Sequence, residues 1–420
     1  MKTYTSCDTN LNERRFKTLL SLLRLGGIPL NIKSVSNANT AYNVFIIVCF
    51  YTTSVCLWID SYVHRNQLVQ AMKKIRILVG MQLVTWIHFS LSYRRREIEY
   101  LIRLTDTFTW EELPSRDPDT GYLTKAGYIP LIQRLAQYVP AILIGYHSIQ
   151  STFRIILNHD MVFFTTWYPF DVSESPAYEI ANFTQGIASL FVICLFVGFQ
   201  CLYATFVCVA CSQLEKLRAA ILDIRQTHII LQQDCGAETN QQDGEEHPHT
   251  PEEVFHRMQK QLNDCIRHHQ QIKRYLETLE STLTHPLCGV FLILLSAMCF
   301  VAFSAITSWG DYTDVSQALL LYSLLTSCLY VFCWLGSELS EQAESVRDAA
   351  WGCDWVGTPV PFQRCLIFII AAANKEFTLT ADNFVPVSNK TMMNMMNQSI
   401  SFFMFLLHMK DKNRDSNHGV

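Results

Sequence analysis

The sequence predicts an all-α, polytopic membrane protein with seven transmembrane helices, its N-terminus cytoplasmic and its C-terminus extracellular. Three observations lead there. Half of the 420 residues are hydrophobic and only 17% are charged, where a soluble domain carries about a quarter. Seven apolar runs have lengths near the roughly 20 residues a helix needs to cross the hydrocarbon core. Lys and Arg collect in alternate connections between those runs, which sets orientation.

The elements follow in order. Residues 1–40 form a cytoplasmic N-terminal segment holding Lys2, Arg14, Arg15, Lys17, Arg24 and Lys33, with no short apolar run that reads as a cleavable leader. Residues 41–211 carry spans one to four, at 41–63, 76–93, 137–156 and 186–211. Residues 212–285 extend spans four and five as cytoplasmic helices around an acidic, apolar-poor insertion at 231–253, whose composition predicts disorder. Residues 286–337 carry spans five (286–309) and six (316–337). Residues 338–390 return to the cytoplasm; within them 362–385 is apolar only briefly and predicts a helix that leads into the last span without crossing. The seventh span takes 391–410, and 411–420 form an extracellular tail. The second and last spans are the most polar of the seven.

Loops 94–96 and 212–285 are rich in Lys and Arg, while 157–184 and 310–315 contain none. One loop dissents: 64–76 falls outside yet holds Arg65, Lys73, Lys74 and Arg76; the other loops outvote it, and Lys73 to Arg76 also fit the end of a helix. An inside N-terminus argues against a G-protein-coupled receptor, and neither an Asp-Arg-Tyr triplet nor an Asn-Pro-x-x-Tyr motif stands where that class carries them.

Ten of the fifteen cysteines lie in apolar runs, where Cys acts as a small hydrophobe; none has metal-site spacing, and no metal or other cofactor is expected. There is no basic stripe for nucleic acid. No phosphate loop, HExxH or GxSxG appears, so no enzyme is expected. The pairs Glu252/Glu253 and Glu341/Glu344 read as solvated helix faces. No internal repeat supports a transporter, which remains the alternative from another class. Asn182-Phe183-Thr184 is a glycosylation sequon in an expected outer loop; such triplets also arise by chance.

Within the last span, Asn394, Gln398, Ser401, Phe405 and His408 are spaced four, three, four and three and share one helical stripe. Polar groups at membrane depth need protein or water beside them. The stripe reads as a pore lining or, equally, as amide-mediated contact between helices.

From residue 334 to 410 the sequence resembles the insect odorant receptor family. The stretch GSELSEQAESVRDAAWGCDW (336–355) is similar to the family's segment after the sixth helix. Phe384, Ser388, the pair Phe402-Phe403 and Leu406-Leu407 match its final helix. The resemblance implies a heterotetrameric cation channel of tuning subunits and a shared odorant co-receptor, in the plasma membrane of sensory neurons. The last helices would line its pore, and cytoplasmic helices would form an anchor domain. The family's gate positions fall on Phe405, His408 and Met409, with His where the co-receptor has Gln. The shorter connection between spans four and five and the more polar final helix mark a tuning subunit. Gustatory receptors are the nearest alternative, but their Thr-Tyr-(apolar)-Gln-Phe ending is absent.

A volatile odorant needs a small apolar cavity with a few polar groups. The resemblance places it in the outer half of the bundle, among Met81, Val84 and Thr85 of span two, Tyr146, His147, Gln150 and Ser151 of span three, Phe191 and Leu195 of span four, and Tyr322, Ser323 and Thr326 of span six. Plain packing is the competing reading for each. The expected partners are co-receptor subunits, a small volatile ligand and membrane lipid.

Overall fold

The computed structural model of the chain describes residues 9–30, 37–65, 68–110, 113–116, 121–158, 166–172, 174–237, 251–307, 312–353, 355–375 and 377–418; outside that description lie the side chains of 9–14, 68, 69, 73, 147, 150, 151, 153–158, 225–237, 251, 312–314 and 409–418. Its helices are α1 (Thr9–Leu25), α2 (Asn37–Val63), α3 (Leu68–Tyr93), α4 (Arg95–Leu104), α5 (Tyr128–Asn158), α6 (Ala177–Ala237), α7 (Pro251–Thr307), α8 (Tyr312–Gly352), α9 (Val360–Ala373) and α10 (Asn389–His418). A small antiparallel hairpin of β1 (Thr380–Ala381) and β2 (Val385–Pro386) separates the last two helices.

α6 forms the axis of the bundle because it is apolar on every face. Every side chain from 201 to 214 is buried, as expected of a helix without a polar side. α8, α5, α7, α2 and α1 pack around it. α3 lies along α7, where the Trp86 indole donates to the Pro286 carbonyl at 3.1 Å. Gly289 makes room for that ring, since a Cβ there would collide with it.

Five helices contain a stretch long and apolar enough to cross a membrane: Asn37–Val63, Gln70–Tyr93, Ala177–Ile224, Glu252–Thr307 and Val315–Gly352. These correspond to spans one, two, four, five and six. α5 and α10 are the other two expected spans; at 31 and 30 residues each runs about 45 Å. Neither reaches the same apolarity among the described residues. Span two is therefore more apolar, and span three less, than the sequence reading ranked them.

The expected helical extensions of spans four and five are present but longer. α6 continues to Ala237 and α7 begins at Pro251, so residues 231–237 and 251–253 are helical instead of belonging to the insertion; 238–250 lie outside the described residues. The run Ile229-Ile230-Leu231 prolongs α6. Pro251 with Glu252 and Glu253 is a helix start, with proline where no N–H is needed and acids at the positive end. α10 likewise carries on to His418, through most of the expected tail.

Besides α4, which occupies the expected loop after span two, two elements went unforeseen. α1 is a core element: Phe16, Leu19, Leu22 and Leu23 are buried, and the Phe16 ring lies 5.8 Å from Phe206 of α6. It ends at Gly26-Gly27, where Gly27 takes φ +77° and a Cβ on Gly26 would press on Leu195. The second is the hairpin. α9 stops at Ala373 instead of leading straight into the last span. Asp382 and Asn383 both take positive φ, 53° and 60°, which these residue types tolerate better than most. The hairpin is tied to α7: the Thr380 hydroxyl donates to Glu280 at 3.0 Å, and His285 Nδ1 lies 2.6 Å from the Asp382 carboxylate.

The dissenting loop also finds a reason. Lys74 forms an ion pair with the buried Asp60 of α2, and His64 Nδ1 lies 3.2 Å from the same carboxylate. Arg65 sits 4.2 Å over the Tyr62 ring. These cations are held by local partners, so they weigh less in setting orientation than free loop charges do.

Candidate functional site

The expected ligand residues divide by helix. On α3, Met81 and Val84 are buried in the core, and the half-buried Thr85 hydroxyl donates to the Met81 carbonyl at 2.9 Å. On α6, Phe191 and Leu195 are fully buried. Phe191 stacks on Phe50 with centroids 4.4 Å apart and faces His88 at 5.4 Å, while Leu195 meets Gly26. These two positions are thus occupied by α2 and the end of α1. On α8, Tyr322 packs half-buried against the core and Ser323 is exposed, its hydroxyl donating to Leu320 at 2.8 Å. The Thr326 hydroxyl oxygen is shielded and has no hydrogen-bond partner among the described residues. On α5, Tyr146 is exposed; His147, Gln150 and Ser151 lie outside the described side chains.

Two polar groups in the spans were missed. His88 of α3 accepts or shares a hydrogen bond with the Tyr51 hydroxyl at 3.2 Å. Gln185 of α6 is fully buried, and its amide donates to the Thr166 and Tyr168 hydroxyls at 3.1 and 2.9 Å. An isolated His or Gln in an apolar run is itself a signal, because burying it without partners is costly; drawing span four from residue 186 left Gln185 one position outside. Gln185 fastens segment 166–172 over the start of α6.

The expected pore stripe shares one surface. Asn394, Gln398, Ser401, Phe405 and His408 are all exposed on α10, and the Ser401 hydroxyl is turned back to the Asn397 carbonyl at 3.0 Å. Met409 lies outside the described side chains. A neighbouring face centred about 100° round the helix, with Thr391, Met395 and Ser399, is buried against α7 and α8. Asn182 sits inside α6, its Nδ2 donating to the Tyr178 carbonyl at 3.2 Å.

A cavity of about 330 Å³ opens at the other end of the bundle, where α6 and α7 outrun their spans. Its lining includes His269, Lys273, Glu277, Glu280, Lys375 and Phe377. Its four charged groups suit a volatile apolar ligand poorly. No cluster of His, Cys, Asp or Glu among the described residues is arranged to hold a metal.

Residues 67–400 match the family model described as 7tm Odorant receptor. The chain belongs to that odorant receptor family. Among relatives, it is 24% identical over 239 residues to Odorant receptor Or2 of Anopheles gambiae, covering 56% of this chain and 58% of that one. It is 27% identical over 161 residues to Odorant receptor 2a of Drosophila melanogaster, covering 38% and 40%. The matched part thus spans little more than half the length of the first of these relatives and less of the second. The fold is similar to that of the insect olfactory receptor OR5 from Machilis hrabei in complex with eugenol, with TM-score 0.67 and 16% identity over 96% of this chain and 100% of that one. As an odorant receptor the chain is a helical, multi-pass membrane receptor and not an enzyme.

Proposed function

We propose that this odorant receptor is a tuning subunit of a heteromeric, odorant-gated, non-selective cation channel. It assembles with co-receptor subunits in the plasma membrane of sensory neurons, N-terminus inside and C-terminus outside. The observation that carries this reading is the two-sidedness of α10. One face is packed within the chain, and the stripe from Asn394 to His408 is left open. In a membrane such a stripe needs water or a neighbouring subunit beside it. Polar rings and hydrophobic constrictions are what pores use to select and gate, and Phe405 supplies the apolar member.

In this reading the odorant contacts are drawn from Met81 and Val84 of α3, Tyr146 of α5, and Tyr322 and Thr326 of α8. The unpartnered Thr326 hydroxyl there offers one hydrogen bond within an apolar wall, the composition a small ligand site needs. The Machilis receptor, solved with eugenol, supports a small-molecule ligand for this fold.

Currents recorded from cells expressing the chain with and without co-receptor, under a panel of volatile odorants, test the reading. An odorant-evoked cation current is expected only when both are present. Absence of any such current with both subunits at the surface overturns it.

A further inference from the structure

α5, which bears the expected odorant contact Tyr146, is tied at its inner end to α8. Lys125, just before its first turn, places Nζ 2.6 Å from Glu338 Oε1, with side chains 21% and 16% exposed. The Lys125 backbone N–H donates to Glu215 of α6 at 3.0 Å. Burial opposes the Lys125 charge, but the hydrogen bond and attraction to Glu338 outweigh it and raise its pKa. The lysine therefore stays charged. Tyr128 adds an edge-on contact to Trp334 of α8 at 6.2 Å.

The same turn of α8 grips the start of α10. Gly336 lies so close to the Val387 carbonyl that a Cβ would collide with it. The Ser337 hydroxyl accepts the Asn389 N–H at 2.9 Å, and Asn389 is the first residue of α10. Glu338 also accepts from Gln342 Nε2 at 3.0 Å, which fixes its carboxylate toward Lys125. Three consecutive residues thus meet the base of α5 through Glu338 and the base of α10 through Gly336 and Ser337. Otherwise α5 packs mainly on α6 and α1, neither of which leads to α10 so directly.

We propose that the Lys125–Glu338 ion pair is the positioning contact through which α5 transmits odorant occupancy to the pore helix α10. This rests on the odorant-gated channel reading. α5 runs without a break from Tyr128 to Asn158 with Pro140 inside it, a residue at which helices bend, and secondary elements joined by hydrogen-bonded pairs are the physical means by which distant sites couple. A displacement at its outer half is delivered to Glu338, and the adjoining Ser337–Asn389 bond passes it to α10.

The test is a charge-swap cycle in cells expressing the chain with co-receptor, with surface protein counted by biotinylation. Lys125→Gln and Glu338→Gln should each raise the half-maximal odorant concentration by about two- to thirty-fold and lower the maximal current per surface channel. The double swap Lys125→Glu with Glu338→Lys should recover most of both, which assigns the change to the pairing of the two side chains; a merely structural loss would instead appear as fewer surface channels with an unchanged half-maximal concentration. Wild-type responses in both single variants, or a swap no better than either, overturn the proposal. If the neutral variants do not reach the surface, Glu338→Asp keeps the charge and shortens the reach. A right-shifted response then supports the pair and an unchanged one overturns it. Absence of odorant current from the unmodified chain with co-receptor refutes the channel reading itself; unaffected variants beside a normal wild-type current refute only the coupling.

Discussion

Phe191 and Thr326 show how residue type and residue depth part company. Both were expected to touch odorant. Phe191 is instead closed in by Phe50 and His88, so Phe191→Ala should leave a cavity costing about 3–5 kcal/mol. The expected outcome is reduced surface protein and an equal loss for every odorant; a ligand-selective shift at full surface level would return Phe191 to the pocket. Thr326 keeps a shielded hydroxyl without a partner, a state costing about 1–3 kcal/mol that a ligand oxygen relieves. Thr326→Val should therefore raise the half-maximal concentration about tenfold for hydrogen-bonding odorants and leave hydrocarbons nearly unchanged. Equal shifts for both ligand classes would argue against a ligand contact. The apolar and hydroxyl types were legible in the sequence, but the vertical register between helices was not. Phe191 stands level with His88, and Met81 lies seven residues away along α3, about 10 Å. Gln185, six residues before Phe191 on a helix that runs in the same direction, returns to about the level of Met81. Periodicity finds the inward face of each helix and says nothing of how far one has slid past the next.

At the scale of elements, five of the seven expected spans were readable because apolar length is a coarse and robust signal, whereas α1 and the hairpin were not. α1 is charged on one side and short, and only its docking on α6 makes it part of the core. The hairpin rests on Asp382 and Asn383 in left-handed conformations, a two-residue cue inside a run scanned for helix. The segment after α4 was passed over for the same reason, although it docks firmly. Trp110 stacks on His268 of α7 at 4.1 Å and 14°, and Phe108 meets the same ring at 5.9 Å. The His268 side chain is buried, and burial lowers its pKa to about 4. Unfolded, it titrates near 6.5. Between those values the unfolded chain binds a proton that the fold excludes, so the contribution is intact above about pH 6.5 and falls as pH drops toward 4. The loss approaches about 3 kcal/mol. His268→Phe should flatten the decline of Tm between pH 6.5 and 4 in the purified protein; a slope equal to wild type would mean His268 is not the group responsible. For α10 the question is what its open stripe faces. Ser401→Cys and Phe405→Cys should react with a water-soluble thiol reagent and reduce current in the assembled channel. No modification in either the open or the closed state would assign the stripe to contact between helices.

At the scale of the whole molecule the arrangement is decided by charge as much as by apolar length. In the proposed topology seven crossings would put the two ends of the chain on opposite sides, and the Lys and Arg of the N-terminal segment, of 94–96 and of 212–285 would choose which. Loop 64–76 seemed to vote the other way. In the fold, Lys74 is neutralised by buried Asp60 and Arg65 lies on Tyr62. A cation tied to a partner within its own helical hairpin gains little from staying in the cytoplasm, so the loop can cross with its charges compensated. This makes a two-part prediction. An epitope at the N-terminus should be stained only after permeabilisation, and one at the C-terminus on intact cells. Asp60→Asn removes the compensation and leaves Lys74 without its buried partner on the translocated side. That variant should lower the fraction of chains with an accessible C-terminal epitope, while Asp60→Asn combined with Lys74→Gln should restore it. Staining of the N-terminal epitope on intact wild-type cells would invert the topology. An Asp60→Asn chain with unaltered epitope accessibility would leave the topology standing and show that the ion pair has no part in setting it.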